Sequence, residues 1–198
     1  MTCDGVLLSA IAAEVGTPVY VYSSAEIRNR VTSFRAAFGA YPLAIHYALK
    51  ANSNLAVVRV VRAAGGLVDA NSGGEIELAL RAGFAPREIV FTGVGKTSVE
   101  IERAVSLGIK AINAESEGEL DRIAVIARQS GKSACVALRV KPDIAAESHP
   151  HFSTGLNIHK FGVPISDARR IIKEASVKSG LSVVGIHVHG GSQMLGLG

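Results

Sequence analysis

Leu43-Ala44-Ile45-His46-Tyr47-Ala48-Leu49-Lys50-Ala51-Asn52 is an apolar run that closes on a lysine and an asparagine. It reads as a buried strand. Alternation along a strand puts Ala44, His46, Ala48 and Lys50 on one face. Two alanines beneath a lysine leave room above it for something bulky. An amine held in such a place loses solvation, which disfavours the ammonium form and lowers its pKa. A lysine in that state can form a Schiff base with an aldehyde such as pyridoxal phosphate. The bland alternative is a lysine that marks where a strand reaches water, and the rest of the chain has to choose between the two.

Working outward from this run, strand-like and helix-like segments alternate. The strands are read at Leu43–Ala48, Leu67–Asp69, Ile89–Phe91, Ala111–Asn113, Cys135–Val140 and Val183–His189. Amphipathic helical patterns lie between them, at Leu55–Ala64, Gly74–Ala82, Ser98–Leu107, Ser116–Ser130 and Ile165–Ser179. An earlier unit, strand Val19–Tyr22 and helix Glu26–Phe38, precedes them. Strict βα alternation predicts a parallel sheet with right-handed crossovers. In such folds functional residues gather at the carboxyl ends of strands. All six ends are polar here: Lys50-Ala51-Asn52, Asp69-Ala70-Asn71-Ser72, Thr92-Gly93, Asn113-Ala114-Glu115-Ser116, Arg139-Val140-Lys141-Pro142 and His187-Val188-His189-Gly190-Gly191-Ser192. One catalytic face on a barrel accounts for that. A closed (β/α)8 barrel needs eight strands, so an α/β barrel of the TIM type, incomplete at about six strands, is expected.

Composition narrows the class. Hydrophobic residues make up 48% and charged residues 19%, an ordinary folded balance in a chain of 198 residues that fits one domain. The net charge of +4 is scattered without a dense Lys/Arg run, which gives nucleic-acid binding little support. Cys3 and Cys135 are far apart and lack metal-type spacing. Reduced thiols and a start interrupted by Asp4 and Glu14 lead to an expectation of a cytoplasmic protein without a leader. Residues 179–198 carry no charge, but their six glycines and two histidines argue against a membrane span. A buried strand followed by a glycine loop is the better reading.

Three motifs compete for chemistry. Gly93-Val94-Gly95-Lys96-Thr97 looks like a nucleotide-binding loop, but the glycine that motif needs five residues before Gly95 is Val90. His187-Val188-His189 could be a metal pair on a strand, which keeps a barrel metallohydrolase as a rival; His149-Pro150-His151 is the other histidine cluster. Gly190-Gly191-Ser192 reads as an oxyanion cradle of turn amides and a hydroxyl.

In order along the chain, these segments resemble the fold-type III pyridoxal phosphate enzymes of the alanine racemase-like barrel group, and within it the diaminopimelate decarboxylase family. The resemblance starts at Gly16-Thr17-Pro18-Val19-Tyr20-Val21-Tyr22 and reaches Gln193. Six motifs carry it: Tyr47–Asn52, Asp69–Glu75, Phe91–Lys96, Asn113–Ser116, Leu138–Pro142 and His189–Gln193. The stretch His149–Gly155 through Lys160-Phe161-Gly162 favours diaminopimelate decarboxylase over its ornithine and arginine relatives.

The resemblance implies that Lys50 holds pyridoxal 5'-phosphate, His189 lies against the cofactor ring, and Ser192 with the Gly191 amide binds the phosphate. Asp69 and Arg139 would line the cofactor site, with Glu75 near Lys50. It implies decarboxylation of meso-2,6-diaminopimelate to L-lysine and CO2, the last step of lysine biosynthesis, by a homodimer. Other fold-type III amino-acid or polyamine decarboxylases, and a non-catalytic pyridoxal phosphate-binding barrel, are the alternatives. The family also carries a Glu-Pro-Gly-Arg segment, a second glycine loop and a C-terminal β-domain with a cysteine proton donor, none of which occurs in these 198 residues. The expectation is a truncated cofactor-binding barrel over residues 1–198, inactive on its own.

Overall fold

A computed structural model describes residues 1–141 and 161–190. It opens with a small antiparallel hairpin, β1 (Thr2–Cys3) and β2 (Val6–Leu7), followed by helices α1 (Leu8–Val15) and α2 (Ser24–Ala37). The alternating unit then begins: β3 (His46–Ala48), α3 (Leu55–Ala63), β4 (Leu67–Ala70), α4 (Gly73–Ala82), β5 (Ile89–Phe91) and α5 (Ser98–Leu107). It continues with β6 (Ala111–Ala114), α6 (Glu117–Gln129), β7 (Ala134–Lys141), β8 (Val163–Pro164), α7 (Ile165–Ser176) and β9 (Leu181–Val188).

The sheet is parallel throughout, in the order β3-β4-β5-β6-β7 with β9 against β7. Val140 is flanked by Val188 of β9 and by Val163 of the two-residue β8, which therefore lies on the β6 side. An extra residue, Val184, makes a bulge between the Val136–Val183 and Ala137–Gly185 pairs. This is the incomplete α/β barrel the alternation implies, with seven strands in the main sheet where six were expected.

Period-two alternation divides each strand between two faces. Val68, Ala70, Ile89, Phe91, Ile112, Ala114, Val136 and Leu138 are buried on the helix side, packed with Val58, Ile76, Ile101, Leu120 and Ile123 into one core. The other face receives Ala48, Asp69 and Val90, which are register partners, then Asn113 beside Ala137 and Arg139 beside His187. Apolar residues pin the outer face, so the polar residues are forced onto the inner one.

Two expectations are corrected here. Val19–Tyr22 forms no strand: its side chains are largely exposed and no neighbouring strand pairs with it. The last strand is not buried on its helix-side face, because Val184, Ile186 and Val188 are 54%, 62% and 47% exposed.

Candidate active site

Lys50 sits two residues past the end of β3, in a single 3-10 turn of Leu49–Ala51 rather than on the strand itself. Leu49 is fully buried and anchors the turn, and the Tyr47 hydroxyl donates to the Asn52 carbonyl at 3.1 Å to close it. Lys50 is thereby turned outward at the carboxyl rim, exposed, and without a hydrogen bond or ion pair among the described residues. The expected desolvation of its amine is not met among the described residues, since Lys50 is exposed. The strand ends earlier than the apolar run because the chain must turn to feed α3, where Asn54 caps the Ala56 amide at 2.9 Å.

Asp69, on the inner face of β4, has a buried Oδ1 with no hydrogen-bond partner among the described residues. His187 on β9 has a buried Nδ1 in the same condition, as does Asn71 Nδ2 at the end of β4. Buried polar atoms are nearly always satisfied, so three such atoms at one end of a sheet mark a place built to receive a polar group. Burial and the nearby Arg139 charge push the His187 imidazole below its usual pKa, against the pull of Asp69 and Glu115. Lower in the sheet, burial likewise lowers His46. Lys110 Nζ lies 3.0 Å from its Nε2 and the Val68 carbonyl 2.9 Å from its Nδ1. An ammonium can only donate, so Nε2 accepts and the proton resides on Nδ1, donated to Val68.

Arg139 on β7 donates from Nη1 to both Glu115 oxygens, at 2.8 and 3.1 Å, and stacks 5.5 Å from the Phe161 ring centroid. Both side chains of this pair are largely buried. Glu75 serves the loop: its Oε2 accepts the Asn71 amide at 2.7 Å, while Ser72 caps the Glu75 amide at 3.2 Å. His189 follows β9 directly and is exposed. Gly191 and Ser192, with the stretch from His149 to Lys160, lie outside the described residues. The structure thus brings Asp69, Arg139 and His187 to one face with Lys50 at its rim. Among the described residues no group of three His, Cys, Asp or Glu side chains could hold a metal.

A second layer escaped the sequence reading. Lys96 is 3% exposed and its ammonium spends all three donors. They go to the Gly93 carbonyl at 2.6 Å, the Asn113 carbonyl at 2.7 Å and the Glu119 carboxylate at 3.3 and 3.4 Å. Burial pushes this ammonium below its usual pKa while Glu119 pulls it up. Losing one partner of such a pair leaves a buried charge alone, at a cost of about 3–5 kcal/mol. Glu119 also accepts the Glu115 amide at 2.7 Å, and the Asn113 side chain donates to Thr92 Oγ1 at 2.8 Å. Glu100 reaches across to the Gly73 amide at 2.8 Å. Ser72-x-x-Glu75, Thr97-x-x-Glu100 and Ser116-x-x-Glu119 are three capping patterns in a row, and that repetition was the available signal.

An amine, a carboxylate, a guanidinium and an imidazole stand at the carboxyl end of a parallel sheet, where α/β barrels place their functional groups, which makes the class an α/β barrel with a polar ligand face. The chain belongs to the family described as "Pyridoxal-dependent decarboxylase, pyridoxal binding domain", which matches residues 24–197. It is similar to diaminopimelate decarboxylase of Pseudomonas aeruginosa (42% identical, 96% of this chain, 46% of that protein) and of Aquifex aeolicus (44%, 97% and 45%). Among solved structures, Helicobacter pylori diaminopimelate decarboxylase complexed with L-lysine superposes with a TM-score of 0.90 at 39% identity, over 96% of this chain and 48% of that one. The M. jannaschii enzyme in co-complex with L-lysine gives 0.86 at 36%, over 96% and 46%. The chain thus spans about half the length of the relatives it matches, and no described helix is long and apolar enough to cross a membrane.

Proposed function

We propose that this chain is the cofactor-binding part of a pyridoxal phosphate-dependent decarboxylase that converts meso-2,6-diaminopimelate to L-lysine and CO2. The observation that carries the reading is Lys50, the amine at the carboxyl rim that no other group of the described chain occupies. Lys96, the rival at a neighbouring strand end, has no lone pair to offer because each of its N–H groups is donated. The substrate class rests on the relatives, which are named diaminopimelate decarboxylase at 40–44% identity.

The residues fit the cofactor. Asp69 Oδ1 and His187 Nδ1 are buried on the inner face without hydrogen-bond partners among the described residues, so a polar ring placed there would satisfy atoms the fold leaves open. When bound, pyridoxal phosphate supplies an electron sink for the bond to the departing carboxylate. Lys50 would hold the cofactor by its amine. Arg139, kept in place by Glu115, presents a fixed positive charge to an anionic group. Burial and the Arg139 charge disfavour the His187 imidazolium, so its Nδ1 would meet a ligand as a hydrogen-bonding atom of a neutral ring. His189, Gly191 and Ser192 are assigned to the ring and phosphate, and Glu75 to shaping the loop after β4. We assign residues 1–198 to the barrel domain of a larger, homodimeric, cytoplasmic enzyme whose further segments complete the site.

The test is borohydride reduction of the protein with pyridoxal phosphate, followed by peptide mapping. A pyridoxyl mass on Lys50 is expected, and the same mass on any other lysine overturns the assignment.

A further inference from the structure

Lys96 and Glu119 are buried side chains of opposite charge, and no step proposed above uses them. Their connections run in one direction. Lys96 comes from the β5–α5 loop and reaches over β6 to the start of α6. Glu119 Oε2, held there, accepts the Glu115 amide at 2.7 Å. The Glu115 carboxylate then grips Arg139 on β7 at 2.8 and 3.1 Å. On the other side Lys96 holds the carbonyl of Asn113, whose side chain fixes Thr92. Phe91 lies beneath the ammonium, 5.4 Å from it to the ring centroid. The chain is continuous, and every link is a hydrogen bond or a charge-assisted pair.

We infer that Lys96 is the positioning residue for Arg139, acting through Glu119 and Glu115. The inference deepens the reading above, since it concerns how that site's fixed positive charge is aimed. Packing alone does not account for Lys96, because a methionine would fill the same tunnel over Phe91 without losing solvation. Its long stem and three donors instead fasten its own loop to both β6 and the first turn of α6, which sets the height of Glu115 relative to β7. Orientation of a binding side chain by an outer partner is commonly worth about tenfold or more in affinity.

Two variants separate positioning from mere stability. Glu119→Gln keeps the ammonium and an oxygen to accept the Glu115 amide. Lys96→Met with Glu119→Gln removes the ammonium without leaving a buried charge. Each is compared with the parent by urea unfolding, by hydrogen exchange at the Glu115 amide and the Arg139 Nε–H, and by titration with pyridoxal phosphate. The expected result is that Glu119→Gln, which leaves the Lys96 ammonium without its counter-charge, loses stability in urea but stays close to the parent in exchange and in pyridoxal phosphate binding. The double variant, still folding cooperatively, should exchange at both sites about tenfold faster or more and bind pyridoxal phosphate about tenfold more weakly. If the double variant is less stable but Glu115 and Arg139 stay as protected as in Glu119→Gln, Lys96 is only a structural pair and the inference falls. Should the parent fail to bind pyridoxal phosphate while the exchange difference persists, the positioning role stands and the functional reading fails instead.

Discussion

Two histidines should make the stability of this protein fall as pH drops through the weakly acidic range. His46 and His187 both have folded-state pKa values below the ordinary 6.5, in each case chiefly because burial disfavours the imidazolium. In the unfolded chain each imidazole takes up a proton near 6.5. A depressed folded value means the contribution is fully present above the unfolded pKa and is lost as pH falls from there through the folded value. The steepest loss is about 1.4 kcal/mol per pH unit for each group, so the pair is worth up to about 2.8 kcal/mol at one unit below the unfolded pKa. Both rings are partly exposed, and solvent screening holds the figure under that ceiling. The lowered carboxylates, Glu77, Glu100 and Glu117, start from an ordinary value of 4.5 and act only at lower pH. The window between is therefore histidine territory. Urea unfolding across it measures the slope. His46→Gln retains one donor and one acceptor but cannot titrate, and should cut the slope by about half. An unchanged slope in that variant refutes the assignment of the pH dependence to a neutral His46 bridging Val68 and Lys110.

Gly93→Ala should destabilise the fold by about 1–3 kcal/mol, because Gly93 has φ +133° and a new Cβ would meet the Asn71 carbonyl at 2.7 Å. An unshifted thermal midpoint would show that the two loops are free to part. Lys50→Met should change unfolding free energy by no more than about 0.5 kcal/mol, since the side chain is exposed and unpartnered among the described residues. A several-fold larger loss in urea titration would mean that the amine is held by contacts and is not available to a ligand.

Helix and strand periodicity made the alternating core legible. Ile89–Phe91 and Ser98–Leu107 appear where the pattern put them, and the other core elements shift by one to three residues. The misses have physical causes. Val19–Tyr22 has strand-like composition, but a strand needs a neighbour, and this segment has none. Lys50 left its strand because the turn into α3 begins at Leu49. The apolar run alone could not show where the ladder stops. Asp69 and Arg139 could be placed at strand ends from the alternation, whereas a cofactor role for them came only from the resemblance. Glu115 and Lys96 were not legible, since their roles depend on loops from three different βα units meeting in space. The Ser/Thr-x-x-Glu repeats were present in the sequence and pointed to three capped helices, yet nothing in spacing says that Glu100 would reach the Gly73 amide of the preceding unit.

Those three capped helix starts have an electrical consequence. The first amides of a helix form a natural seat for an anion, and at α4, α5 and α6 a carboxylate of the chain already stands beside that seat, because Glu75, Glu100 and Glu119 accept the Asn71, Thr97 and Glu115 amides just ahead of each helix. The arc of the rim from β4 to β6 thus places a carboxylate at each of these three helix starts. On the arc formed by β7 and β9 stand Arg139, His187 and His189. One arc of the rim thus carries carboxylates and the next carries the Arg139 guanidinium, so an anionic group meets unlike neighbours on the two.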